Sequence, residues 1–213
     1  MNASGHALIG VLSAAFTMFL IRFKEMCMAP GSHLVFSWLV AVNVLRDRRE
    51  RSIVALVGVA PDIDGMGVII DKISGSTNYY AQYHHVVGHG IFSAILFAAI
   101  AALLAKVQKL TVFCLSFFVM HLHILCDIVG SKGPDGYQWP IYYLFPLNQA
   151  YGITWPHQWA LNAWQNVLFM VLLLFVSGYY AATRKITFLE VFSERLNDEA
   201  FKMYARYFAK KHG

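Results

Sequence analysis

His84, His85 and His89, with the run His121-Leu122-His123-Ile124-Leu125-Cys126-Asp127, put imidazoles and a carboxylate inside stretches otherwise apolar enough to cross a membrane. An Asp at the centre of a membrane helix costs about 2.5–3.5 kcal/mol on insertion scales, so such groups persist where they face an interior site, a partner or a metal. Imidazole nitrogen and carboxylate oxygen are ligands of zinc, manganese and iron. These residues point to a metal centre built on membrane helices.

Spacing sorts the candidates. His123 and Asp127 stand at i and i+4, so both project from one helix face and can chelate one ion, or make a buried hydrogen bond between helices. His121, two residues from His123, falls on roughly the opposite side and is the weaker candidate. Pro61-Asp62-Ile63-Asp64-Gly65 places two carboxylates one residue apart at a helix break, where Pro61 removes an amide donor. Such a pair can bind one ion, bridge two, or cap a solvated turn. Among the three clustered histidines, a continuous helix pairs His85 with His89. Pairing His84 with His89 requires a bend, which Gly88 or Gly90 could allow. His33 follows Pro30-Gly31-Ser32, and His6 has a similar setting; alone, either reads as a polar residue at a helix start. His157, in Trp155-Pro156-His157-Gln158-Trp159, reads as an interfacial or substrate-facing group.

The elements that must hold these residues are membrane helices. The chain has 213 residues, 58% of them hydrophobic and only 14% charged, with mean hydropathy +0.51; a soluble domain is typically about 25% charged. The apolar runs are Ala7–Phe23, Leu34–Leu45, Ser52–Ile70 broken by the Pro61–Gly65 motif, Val86–Val107 carrying His89, Leu110–Val129, and Leu161–Ala182. They predict an all-α, polytopic integral membrane helix bundle with about five or six membrane segments. Arg46–Arg51 reads as a charged loop. Gly130–Asn162 is rich in Pro, Gly, Tyr and Trp, which prevents long helices and suits a membrane–water interface. Phe188–His212 alternates apolar and charged positions at helical spacing, as in an amphipathic helix on a membrane surface or a partner. The expected organisation is an apolar segment over 1–32, a membrane-embedded metal-site domain over 33–185, and a basic amphipathic helix over 186–213.

The net charge of +5 fits the positive-inside bias of membrane loops. The basic residues fall in short clusters between apolar runs, which excludes a nucleic-acid face. With Arg46–Arg51, Lys106–Lys109 and Arg184–Lys185 in the cytoplasm, His33, Asp62, Asp64, His84, His89, His123, Asp127 and the aromatic loop all fall toward the outer face. Cys27, Cys114 and Cys126 form no CxxC pair, so a thiolate metal knuckle is unsupported.

Taken in order, these motifs resemble the membrane-bound metal-dependent hydrolase family, which includes the LexA-regulated inner-membrane hydrolases of bacteria. The family pattern is an early His, Pro-Asp-x-Asp, His-Arg-Gly-x-Thr-His-Ser, His-x-x-x-Asp, and a Gly-rich stretch ending in Trp-Pro. His33, Pro61-Asp62-Ile63-Asp64, His84 with His89, His123 with Asp127, and Gly136-Tyr137-Gln138-Trp139-Pro140 match it over roughly His33 to Pro140. His85 stands where the family has Arg, and Gly88 and Gly90 replace Thr and Ser. The resemblance selects His84 over His85 as the partner of His89. It implies a bacterial inner-membrane location.

The expected function is metal-dependent hydrolysis of an ester or phosphoester, with a membrane lipid or lipid-like headgroup as substrate. The expected ligands are His33, Asp62, Asp64, His84, His89, His123 and Asp127, with Asp64 bridging ions or acting as general base. Trp139 and His157 are the expected substrate contacts. Zinc is the preferred metal, with manganese and iron open. The alternatives are a metal that only fixes helix packing, favoured by closed coordination, and a metal or proton transporter, favoured by a pathway reaching both faces. Oligomeric state is not legible.

Overall fold

The computed structural model of the chain describes residues 30–133 and 136–209. Among them every regular element is helical. In order these are α1 (Pro30–Val42), α2 (Arg48–Val57), a 3-10 helix over Ala60–Met66, α3 (Gly67–Ser74), α4 (Tyr79–Tyr83), α5 (Ile91–Leu104), α6 (Lys109–Gly130), α7 (Trp164–Arg184), a 3-10 helix over Phe188–Val191, and α8 (Glu194–Ala209). The all-α class expected from the sequence holds. Isolated β-bridges, Lys132 with Ala160 and Ile141 with Ile153, brace the long loop between α6 and α7.

The expected count of about five or six membrane segments is not met among the described residues. Two helices are long and apolar enough to cross, α6 with 22 residues and α7 with 21. A third crossing exists if α2 and the Ala60–Ser74 stretch, bent by 46° at their junction, act as one span. α1 and α5 have 13 and 14 residues, and at 1.5 Å rise per residue they reach about 20 Å against a hydrocarbon core of about 30 Å. Hydropathy overcounts because the Val86–Val107 run is not one helix. Gly90 is extended, α5 begins at Ile91, and His89 lies in the preceding loop. The Ala7–Phe23 segment and His6 lie outside the described residues.

Arg46–Arg51, expected as a charged loop, is a loop only as far as Asp47, since α2 begins at Arg48. Asp47 caps α2 by accepting from the Glu50 amide at 3.0 Å, as a short acid at an N-cap should. Glu50 and Arg51 are buried. Arg51 makes a two-pronged pair with Glu190, Nε to Oε1 and Nη2 to Oε2, both at 2.7 Å. The Trp38 indole donates to the same carboxylate at 2.8 Å. Glu50 Oε1 accepts from the Val107 and Gln108 amides at 2.7 and 2.9 Å, just before α6 begins. The C-terminal segment, expected to lie on a surface, is therefore tied to the bundle through Glu190.

The core has two parts. Trp38, Val35, Leu39, Ala55, Leu173 and Tyr180 join α1, α2 and α7. Ala94 and Ala101 on α5 meet Val112, Val119 and Met120 on α6; such small side chains allow the close helix approach common in membranes. The outward positions remain apolar, with Phe118 and Leu125 on α6 and Leu172 and Phe175 on α7 exposed, as a lipid-facing surface requires.

The bundle has two distinct ends. At one, Arg184 donates to the Val42 carbonyl beside the Arg51–Glu190 pair and the Glu50 cap of α6. At the other, Asn166 at the start of α7 donates to the Gly130 carbonyl at 2.8 Å. The candidate histidines and aspartates gather at this second end, away from the basic clusters.

Candidate metal centre

Four parts of the chain supply the centre. His33 comes from the first turn of α1, Asp62 and Asp64 from the 3-10 helix, His84, His85 and His89 from the loop between α4 and α5, and His123 and Asp127 from the C-terminal half of α6. Pro61 starts the 3-10 helix at its first turn, where a missing amide costs least.

His123 and Asp127 do share one face: His123 Nε2 lies 2.9 Å from Asp127 Oδ2. His89 Nε2 lies 3.2 Å from the same oxygen and 3.2 Å from His123 Nε2. His33 stacks on His123 with ring centroids 3.8 Å apart, and its Nε2 is 3.5 Å from Asp127 Oδ1. Asp62 Oδ1 is 3.6 Å from His123 Nε2. Ligand atoms of His33, Asp62 and His123 lie within 4.8 Å of one another, as do those of His85, His89 and Asp127. His33, His85, His89, His123 and Asp127 are buried.

The hydrogen bonds behind these residues fix which ring nitrogen carries a proton. His123 Nδ1 meets the Gly58 carbonyl at 2.8 Å, a pure acceptor, so Nδ1 is the donor and Nε2 of the neutral ring carries a lone pair. His89 Nδ1 meets Asp64 Oδ2 at 3.0 Å, so Nδ1 is the donor there too, and Nε2 carries a lone pair when the ring is neutral. With both rings neutral, three acceptors, His123 Nε2, His89 Nε2 and Asp127 Oδ2, face one another. Asp127 Oδ2, His33 Nε2, Asp62 Oδ2 and His85 Nδ1 have no hydrogen-bond partner although buried. Converging buried acceptors need a cation, either a proton or a metal. The proton alternative is visible at His89: burial disfavours its charge, but the Asp127 and Asp64 carboxylates raise its pKa to about 9. Burial pushes His85 down to about 3, so it is neutral at pH 7 and can ligate.

This donor set fits a divalent ion of the zinc, manganese or iron type. Buried imidazoles are held with lone pairs inward, carboxylates are interleaved, and a carbonyl or carboxylate stands behind each of two rings, as in many protein metal sites.

Not every expected ligand reaches the same place. Asp64 Oδ1 faces His84 Nδ1 at 3.0 Å, while Oδ2 accepts from His89 Nδ1 and, at 2.9 Å, from the Gly88 amide. Both oxygens are thus engaged behind the histidines. His84 is turned toward Asp64 and stacks on Tyr80 at 4.6 Å. His85, which the resemblance had set aside, is the ring that groups with His89 and Asp127. Trp139 is half-buried and stands 5.5 Å from the His84 ring and 5.9 Å from that of His85. His157 is exposed and packs on Trp155; among the described residues no contact joins it to the cluster. His121 bonds Phe117 and Tyr143, outside the centre.

Supporting groups in other segments carry no sequence signal. Gln158 donates to the Asp127 carbonyl at 2.7 Å and to Ser131 Oγ at 3.2 Å, fastening the aromatic loop to the end of α6. A Pro-Gly-aromatic loop predicts neither this contact nor the use of the Gly58 carbonyl.

No curated protein and no solved structure matches the chain. A family model does: the one described as YdjM inner membrane protein matches residues 28–190, which include every member of the cluster. The chain belongs to the YdjM family of inner membrane proteins.

Proposed function

We propose that the chain is a multi-pass membrane hydrolase that holds a divalent metal, zinc by preference, at the outer-face end of its bundle and cleaves an ester or phosphoester of a membrane lipid. The observation that carries this reading is the convergence of His89 Nε2 and His123 Nε2 on Asp127 Oδ2. A divalent ion held there would polarise the scissile group and bring a bound water toward a pKa of about 7.

The chain's own residues divide the remaining work. His33, Asp62, His89, His123 and Asp127 hold the ion. Asp62 is the most accessible carboxylate of the group, with 18% side-chain exposure against 4% for Asp64 and Asp127, and its Oδ2 is unpartnered. That places it at the rim, where it can both ligate and receive a proton. Asp64 orients His84 and His89. Trp139 and Tyr80, with ring centroids 5.4 Å apart, flank the histidines on the approach side and form an amphipathic wall for a lipid headgroup. Gathering the polar groups at one end supports a site rather than a conducting pathway, which needs polar groups along the whole span.

The test uses the full chain in lipid nanodiscs. Bound metal is measured first. A panel of lipid phosphoesters and carboxylic esters is then screened with zinc or manganese. The wild type should bind metal and turn over one class, and His123→Ala and Asp127→Ala should each lose both while still inserting. Full metal occupancy with no turnover on any panel member would replace catalysis with a structural metal. Wild-type metal content in both variants would remove the pair from the centre.

A further inference from the structure

His85 has features that ligation of a single ion does not use. It is 2% exposed, yet its Nδ1 has no hydrogen-bond partner. Its backbone sits at φ 65°, in the left-handed region that costs a non-glycine residue roughly 1–2 kcal/mol. A strained backbone holding an unpartnered imidazole in a protein interior needs something to hold it there. Its neighbours are chemically suited to a cation: a ligand atom of His85 lies within 4.8 Å of ligand atoms of both His89 and Asp127.

His33, Asp62 and His123 form a separate set, also within 4.8 Å of one another. Asp127 lies between the sets. Its Oδ1 faces His33 at 3.5 Å, and its Oδ2 faces His123 and His89 at 2.9 and 3.2 Å. Oδ1 thus faces the first set and Oδ2 reaches both, and a carboxylate shared in this way is the usual bridge between two cations, which in hydrolytic sites stand about 3.5–4 Å apart.

We infer that the centre holds two divalent cations bridged by Asp127, one bound by His33, Asp62 and His123 and the other by His89 and His85. This rests on the metal-centre reading above and adds the ion count and the role of His85. It also gives Asp64 and His84 a positioning role only. Asp64 is the acceptor that turns His89 Nε2 inward, and His84 packs on the outer side of Asp64.

The test compares wild type, His85→Gly and His84→Ala in nanodiscs. Glycine removes the imidazole and suits the positive φ without strain, so any metal loss in His85→Gly is not a folding artefact. Zinc per chain should be two in wild type, one in His85→Gly and two in His84→Ala. Loaded with manganese(II), wild type should give the paramagnetic resonance spectrum of an exchange-coupled pair, and His85→Gly that of an isolated ion. Metal-free His85→Gly should melt at or above metal-free wild type. One ion in wild type would overturn the inference while leaving the proposed function standing. No ion in wild type would overturn both. Two ions in His85→Gly, or one in His84→Ala with two in His85→Gly, would remove His85 from the centre.

Discussion

Asp64→Asn tests whether Asp64 works behind the metal ligands. Its Oδ1 meets His84 Nδ1 at 3.0 Å, and its Oδ2 meets His89 Nδ1 at 3.0 Å and the Gly88 amide at 2.9 Å. Asparagine keeps the shape and one acceptor oxygen. If that oxygen stays on His89 and Gly88, the amide nitrogen faces His84, which can switch tautomer and accept. The net loss is the negative charge that strengthens the His89 contact. Hydrogen bonds to charged groups contribute about 1.5–3 kcal/mol, roughly twice neutral ones. Losing that assistance, and the basicity it gives His89 Nε2, should weaken metal binding about 10–100-fold, the range for a group that orients a ligand. The assay is zinc titration of the full chain in nanodiscs against a competing chelator. A direct ligand would instead lower the number of ions bound per chain. A general base would leave affinity intact and lower turnover about 10²–10⁴-fold. Unchanged affinity with unchanged stoichiometry would refute the orienting role.

Two further outcomes are expected. Glu190→Ala should destabilise the chain by about 3–5 kcal/mol, because it leaves the Arg51 guanidinium buried and unpaired; a thermal melt within error of wild type would show that the Arg51–Glu190 pair does not hold the C-terminal segment. A reporter fused after Gly213 should be cytoplasmic and one inserted at Gly133 should be on the outer side, because Arg184 closes α7 beside the Arg51–Glu190 end of the bundle; the reverse would move the centre to the cytoplasmic face.

Local signals in the sequence were readable and distant ones were not. The shared face of His123 and Asp127 follows from helical spacing, and the break at Pro61 from the missing amide; the structure has both. The membrane count failed because Val86 and Val87 are apolar yet lie in a loop, so hydropathy carried one span across a bend. Glu50 and Arg51 look solvated by composition, but the partners that bury them are remote: Glu50 binds amides 57 and 58 residues away, and Arg51 binds an acid 139 residues away. The choice between His84 and His85 depended on one backbone angle. Helical spacing paired His85 with His89 and the resemblance paired His84 with it; the structure groups His85 with His89 and Asp127 through a positive φ, which leaves no mark in the pattern of residues.

The departures from the resembled motif make sense together in the folded chain. A Cβ at Gly88 would lie 2.3 Å from the Pro61 carbonyl oxygen and 2.9 Å from its Cα, and one at Gly90 would lie 2.9 Å from the Tyr143 carbonyl oxygen. These are backbone atoms and cannot swing aside, so neither Thr nor Ser fits on this backbone. Without those side chains the loop lies directly on the Pro61–Asp64 segment. That contact brings the Gly88 amide and His89 Nδ1 to one oxygen of Asp64. The same approach leaves residue 85 under the loop rather than at its rim, where the long arm of an Arg would need a charge partner or water. A neutral imidazole fits that dry position beside His89 and Asp127. His85, Gly88 and Gly90 therefore act together in the fold: the glycines allow the close approach, and the close approach buries the His85 ring beside His89 and Asp127.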